Sequence, residues 1–229
     1  MPRLSQWNGS AFVDIGEQNF PVKSFGTVAA PVAGTTSTTA VMAGLGQIVD
    51  TAGVTNGSMT VTDANAVASW LNRTVTGASF TAGTTITAVS PGVGYTTSNN
   101  WTGSTGNVSL TVYAGITFTP KVTGKVLVRL ASTAGTATTV ATTSVRGQYG
   151  TGASPINGAA GTGTAFPQGT LTVRSQVAAA GTYAFFEVIG TLTGLVVGTA
   201  YWFDVEFFTS AGADQSNLGT FTYVIEECS

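Results

Sequence analysis

Short runs in which apolar and polar residues alternate, separated by glycine-rich turns, dominate the chain and predict β structure almost throughout. Two runs show their faces directly. In Lys125–Leu130, Val126, Val128 and Leu130 point one way and Lys125 and Arg129 the other. In Tyr201–Phe208, Phe203, Val205 and Phe207 share a face with Tyr201, leaving Trp202, Asp204, Glu206 and Phe208 on the opposite side. The two apolar sets are read as core. Further strands are expected at 58–62, 73–76, 84–89, 108–113, 115–119, 144–149, 169–177, 183–192 and 217–226, the later ones at the regular spacing of a β-sandwich. The Gly/Ala/Thr-rich stretch 150–163 is read as a connection crossing between sheets. One helix is predicted: Asp63 as N-cap, then Val67, Trp70 and Leu71 at i, i+3 and i+4.

Punctuation divides the chain into three parts. Residues 1–33 read as an extended N-terminal arm broken by Pro2, Pro21 and Pro31. Residues 34–113 read as a small β module, with Asn56-Gly57 as a tight turn. Residues 114–229 read as a β-sandwich.

Composition then narrows the function. The 229 residues carry 8 basic and 10 acidic side chains and no histidine. That is 8% charged against roughly 25% in an ordinary soluble domain, and threonine outnumbers even the 30 glycines. A net charge of −2 gives no basic footprint for nucleic acid. No run approaches the roughly 18 apolar residues of a membrane-spanning helix, and MPRLSQWNGS has no signal-peptide core. No charge at all occurs between Thr74 and Pro120. So sparse a charge suits a surface covered by identical chains or by a large assembly.

Candidate chemistry is thin. Without histidine there is no His-dependent triad or His-ligated zinc site, and the single cysteine, Cys228, has no imidazole to activate it. No D-x-D-x-D-G calcium loop is present. Asp204 and Glu206, two residues apart on one strand face, are read as a salt-bridge row with Lys125 and Arg129 from another strand or subunit, because i, i+2 neighbours do not flank a substrate. Trp101, in a Thr-Ser-Asn-Asn-Trp-Thr-Gly loop, is the one residue placed to stack on a sugar, against the plainer reading that it packs beneath its own loop. The expectation is a protein that is no enzyme and binds no cofactor or metal.

The run GSMTVTDANAVASWLNRTVTGASFTAGTTITAV, followed by GNVSLTV, resembles a small β module of tailed-bacteriophage structural proteins, with V-x-G-x-x-x-x-A-G-T-T-I-x-x-V spanning Val75–Val89. GKVLVRLAS (124–132), YGTGASPINGAAGTGTAF (149–166) and GTLTGLVVGTAYWFDVEF (190–207) resemble jelly-roll domains of phage appendages, akin to the tumour-necrosis-factor-like fold. The resemblance implies an all-β homotrimer on the outer surface of a virion. Such a protein would decorate or reinforce the head and contact the major capsid protein or other virion proteins, with no membrane or nucleic-acid partner. Trp7, Phe12 and Phe20 in the arm are the expected contacts with the particle. The alternative is a tail-fibre or spike module that recognises host glycans through Trp101 and the 151–166 loop.

Overall fold

The computed structural model describes residues 5–7, 12–14, 23–31, 33–136, 141–166, 171–174, 183–212 and 215–228. Its strands are β1 (Ser5–Trp7), β2 (Phe12–Asp14), β3 (Lys23–Val28), β4 (Val41–Met42), β5 (Gln47–Val54), β6 (Thr60–Thr62), β7 (Thr74–Thr76), β8 (Ile86–Ser90), β9 (Gly94–Thr97) and β10 (Gly106–Tyr113). They continue as β11 (Ile116–Phe118), β12 (Val126–Thr136), β13 (Thr142–Thr151), β14 (Thr164–Ala165), β15 (Leu171–Arg174), β16 (Tyr183–Leu192), β17 (Tyr201–Thr209), β18 (Ser216–Leu218) and β19 (Phe221–Glu227). The fold is all-β, as the alternation predicts. None of its described helical segments is long and apolar enough to cross a membrane.

Two antiparallel sheets form the sandwich. One runs β3-β19-β12-β16, the other β11-β17-β13-β15, with β4, β14 and β18 as short additions. Taken in chain order, the eight main strands alternate as first-eighth-third-sixth and second-seventh-fourth-fifth. That is jelly-roll order. The facing sides meet in one core containing Val126, Val128 and Leu130 from β12 and Phe203, Val205 and Phe207 from β17. These are the two sets picked out by alternation.

The pairing moves the expected boundaries. β3, placed in the arm by its prolines, pairs with β19 over six residues (Lys23↔Glu226 to Val28↔Phe221) and is the sandwich's first strand. Met42 and Val41 pair with Glu206 and Phe207 of β17. Residues 23–46 therefore belong to the sandwich, and the small module, 47–113, is inserted between its first two main strands.

The inserted module is a closed sheet, ordered β7-β10-β5-β6-β9-β8. Its ends meet through the Thr74↔Thr85 bridge and through the hydrogen bonds Val75 N–H to Thr84 O (3.0 Å) and Ile86 N–H to Arg73 O (2.9 Å). Closure removes the exposed strand edges. The small barrel encloses Val54, Val61, Trp70, Ile86, Tyr95, Trp101 and Leu110 among others.

The predicted helix does not form. Asp63 Oδ1 accepts from the Asn65 N–H at 2.8 Å in a local turn, Val67 is extended, and only Ala68–Trp70 make a single 3-10 turn. Neighbouring barrel strands take the backbone groups that a helix would use: Gly92 N–H bonds to Ala66 O and Asn72 N–H to Ile86 O. Trp70 enters the core, while Val67 and Leu71 remain exposed. Nor does 150–163 cross between sheets. It returns as a flap to its own sheet, where Tyr149 pairs with Thr164 and Gln148 with Ala165.

Phe207 is wholly buried between the two sheets. Phe207→Ala should destabilise the protein by about 3–5 kcal/mol in urea unfolding, the cost of a core aromatic truncation.

Candidate interaction surface

The two outer faces of the sandwich are finished differently. On β3-β19-β12-β16, the strand registers line up outward-facing residues in rows. Phe25, Val224, Arg129 and Ile189 form one; Lys23, Glu226, Leu127 and Thr191 the next; Thr27, Thr222, Ala131 and Glu187 another. Phe185, opposite Thr133, and Tyr183, opposite Gly135, extend the face. Phe25 is 73% exposed and Phe185 71%; they stand on the two edge strands, β3 and β16, at opposite margins of the face. The charges within this face are already paired: Lys23 Nζ lies 3.0 Å from Glu226 Oε2, and Arg129 Nη2 2.9 Å from Glu187 Oε1. Exposed pairs of this kind add little stability, but they leave an apolar sheet face with no uncompensated charge from these four groups.

On the other sheet the outer face is covered. Trp202, Asp204 and Glu206 of β17 are each buried although they point away from the core. The 150–163 flap lies over them. A Cβ on Gly161 would crowd the Glu206 carboxylate, and Trp202 Nε1 donates to Thr151 O at 3.1 Å. The flap is clasped to the connection after β3. Asn157 Nδ2 donates to Ala33 O (3.1 Å) and Ala43 O (3.2 Å), and Asn157 Oδ1 accepts from the Ala33 N–H (3.2 Å). Gly44, at φ +66°, has no room for a side chain beside the Asn157 amide.

Asp204 stands where the edge of β17 changes partner, from β11 at 201–203 to β4 at 206–207. In that gap its carboxylate accepts the N–H groups of Gly44 (3.0 Å), Leu45 (3.3 Å) and Val205 (2.7 Å). Burial pushes its pKa up to about 7, with the three amides pulling the other way. Glu206 pairs with Arg146 on the adjacent strand.

The expected salt-bridge row is thus not made within the chain. Arg129 and Lys125 belong to β12 and the turn before it, whereas Asp204 and Glu206 project from the outside of the opposite sheet. Arg129 takes Glu187 and Glu206 takes Arg146, each from a neighbouring strand of its own sheet.

Trp101 is also corrected. It is 4% exposed, donates from Nε1 to Ser104 O at 3.0 Å and stacks edge-on with Phe80, so no ring face is offered to a sugar. Trp7 and Phe12 are register partners in the β1–β2 pair; Phe20 lies outside the described residues. The residues missed by sequence reasoning are Phe25, Phe185 and Tyr183. For Phe185 and Tyr183 the signal was available: in 183–192 both alternating sets are largely apolar, so one must face outward.

The raised Asp204 makes a pH prediction. The folded state holds that proton more tightly than the unfolded chain, whose carboxyl titrates near 3.8. Stability from this group is therefore full below about 4 and lost as pH rises towards about 7. The melting temperature of the wild type should fall across that window relative to Asp204→Asn, which cannot ionise; parallel curves would refute the assignment. No protein-family model, no curated protein and no solved structure matches this chain.

Proposed function

We propose that the chain is a structural protein of a tailed-phage virion, which assembles as a homotrimer and binds the outer capsid surface to decorate or reinforce it. The observation carrying this reading is the bare outer face of β3-β19-β12-β16, with Phe25, Phe185 and Tyr183 exposed around internally neutralised charges. A second copy of the chain is its natural occupant. A face whose ion pairs are closed meets no like-charge penalty against a copy of itself, and exposed aromatics on both of its edge strands give a partner apolar area to cover.

Three further features support the reading. The jelly-roll order agrees with the resemblance of the 124–132, 149–166 and 190–207 segments to phage appendage domains. The low charge density suits a surface buried in an assembly. The β1–β2 pair places Trp7 opposite Phe12 ahead of the sandwich, as an anchor that three chains would present together. Three modest contacts on one particle gain avidity through effective concentration without any single strong site.

In sedimentation, the wild type should run as a trimer and the double variant Phe25→Asp/Phe185→Asp as a monomer with an unchanged β-type circular dichroism spectrum. A monomeric wild type, or a variant that stays trimeric, would overturn the interface. Wild-type protein added to particles lacking it should give image density at symmetry-related head positions; density at the tail tip would transfer the reading to receptor binding.

A further inference from the structure

Residues 47–113 contain three charged side chains: Asp50, Asp63 and Arg73. The two acids converge at one mouth of the barrel. Alternation along β5 turns Asp50 inward with the buried Ala52 and Val54, beside its cross-strand partner Leu110. Asp63, directly after β6, is 5% exposed. Asn65 joins them: its backbone N–H donates to Asp63 Oδ1 and its Nδ2 to Asp50 Oδ2, both at 2.8 Å.

Arg73 does not neutralise them. Its Nε donates to Ser69 O (3.3 Å) and its Nη1 to Ser154 Oγ (3.4 Å) in the flap of the sandwich. Among the described residues neither acid has a Lys or Arg within ion-pair distance.

Independently of the acids, the hydroxyl of Tyr95 is buried without a hydrogen-bond partner, on a side chain only 3% exposed. Tyr95 comes from β9, in register with Val61 of β6. Its hydroxyl is raised by burial and then by the charges of Asp63 and Asp50, so it lies in the field of both carboxylates. An orphaned buried hydroxyl is costly unless something completes it. Burial also raises Asp63, against the Asn65 amide, and Asp50 adds to the rise.

We propose that Asp50 and Asp63 bind a hard divalent cation, Ca2+, at this barrel mouth, with the Asn65 carboxamide and the Tyr95 hydroxyl as neutral oxygen partners. Oxygen-only ligands of mixed charge are the ligand set of Ca2+, which accepts irregular geometry and lets water fill the remaining positions. Rotating the Asn65 amide exchanges its nitrogen for its oxygen at the site. Among the described residues no third acid joins the pair, so the affinity belongs in the range of about 10⁻⁴–10⁻³ M typical of weak extracellular-type sites. The cation would tie the middle of β5 to the turn after β6 and so brace the insertion.

Terbium luminescence on the full chain tests this, because Trp70 lies edge-on to Tyr95 with centroids 5.9 Å apart and serves as antenna. Aromatic excitation should give saturable Tb3+ emission that Ca2+ displaces better than Mg2+. Asp50→Asn and Asp63→Asn should each abolish most of it. Tyr95→Phe, which keeps the core ring, should weaken binding by about tenfold, and Asp204→Asn should leave it unchanged. Absence of sensitised emission from folded wild type, or emission that survives Asp50→Asn with the fold intact by circular dichroism, would overturn the site. So would a wild-type melting temperature insensitive to Ca2+.

Discussion

Strand β17 is buried on both faces, and the rest of the sandwich is arranged to meet that demand. Its inner face supplies Phe203, Val205 and Phe207 to the core, which any sandwich strand must do. Its outer face carries Trp202, Asp204 and Glu206, and burying two carboxyls is unfavourable unless each is given partners. The chain provides them by different means. Glu206 receives the Arg146 guanidinium from the next strand, and Asp204 receives backbone amides where β11 gives way to β4. Those amides are available only because the connection after β3 is drawn against the β17 edge, and Asn157 in the flap holds it there. A buried carboxyl thus couples two loops that are far apart in sequence.

The same arrangement leaves β3-β19-β12-β16 as the sandwich sheet whose outer face is bare. Flap and connection cover the outer side of β17, and the inserted barrel, closed on itself, has no free strand edge. The face of β3-β19-β12-β16 has no loop to cover it. In a monomer its aromatics would remain in water, which is unfavourable at roughly 25 cal/mol per Å² of apolar area. Under the proposed self-association a copy of the chain would remove them from water at the cost of two immobilised surfaces, and that balance is what the aspartate variants would perturb.

Legibility in the sequence followed how local the signal was. The β12 and β17 faces were readable because alternation is a property of adjacent residues, and β16 was placed to the residue. Phe25 was not, because the prolines around it suggested an arm and only the long-range pairing with β19 makes it part of a sheet. The helix at 63–73 failed for the converse reason: its i, i+3, i+4 pattern was real, but strand partners outbid local hydrogen bonding and left Trp70 alone in the core. β5, central to the barrel, has its inward positions filled by Asp50, Ala52 and Val54, too small and too polar to read as a core face. Trp101 follows the plainer reading of its loop: the polar neighbours wrap the ring rather than display it.

Charge placement links these parts. In a chain with so few ionisable groups, those of the described residues cluster at structural junctions: the pairs on the bare sheet, Arg146–Glu206 and Asp204 beneath the flap, Arg73 between barrel and flap, and Asp50 with Asp63 at the barrel mouth. An ordinary free monomer distributes its charge over the surface, where it maintains solubility. Here much of the surface is threonine, glycine and exposed apolar side chains, while several of the charges fix how segments meet. Under the proposed self-association, copies of the chain on the bare sheet would take apolar area out of water that charge does not screen.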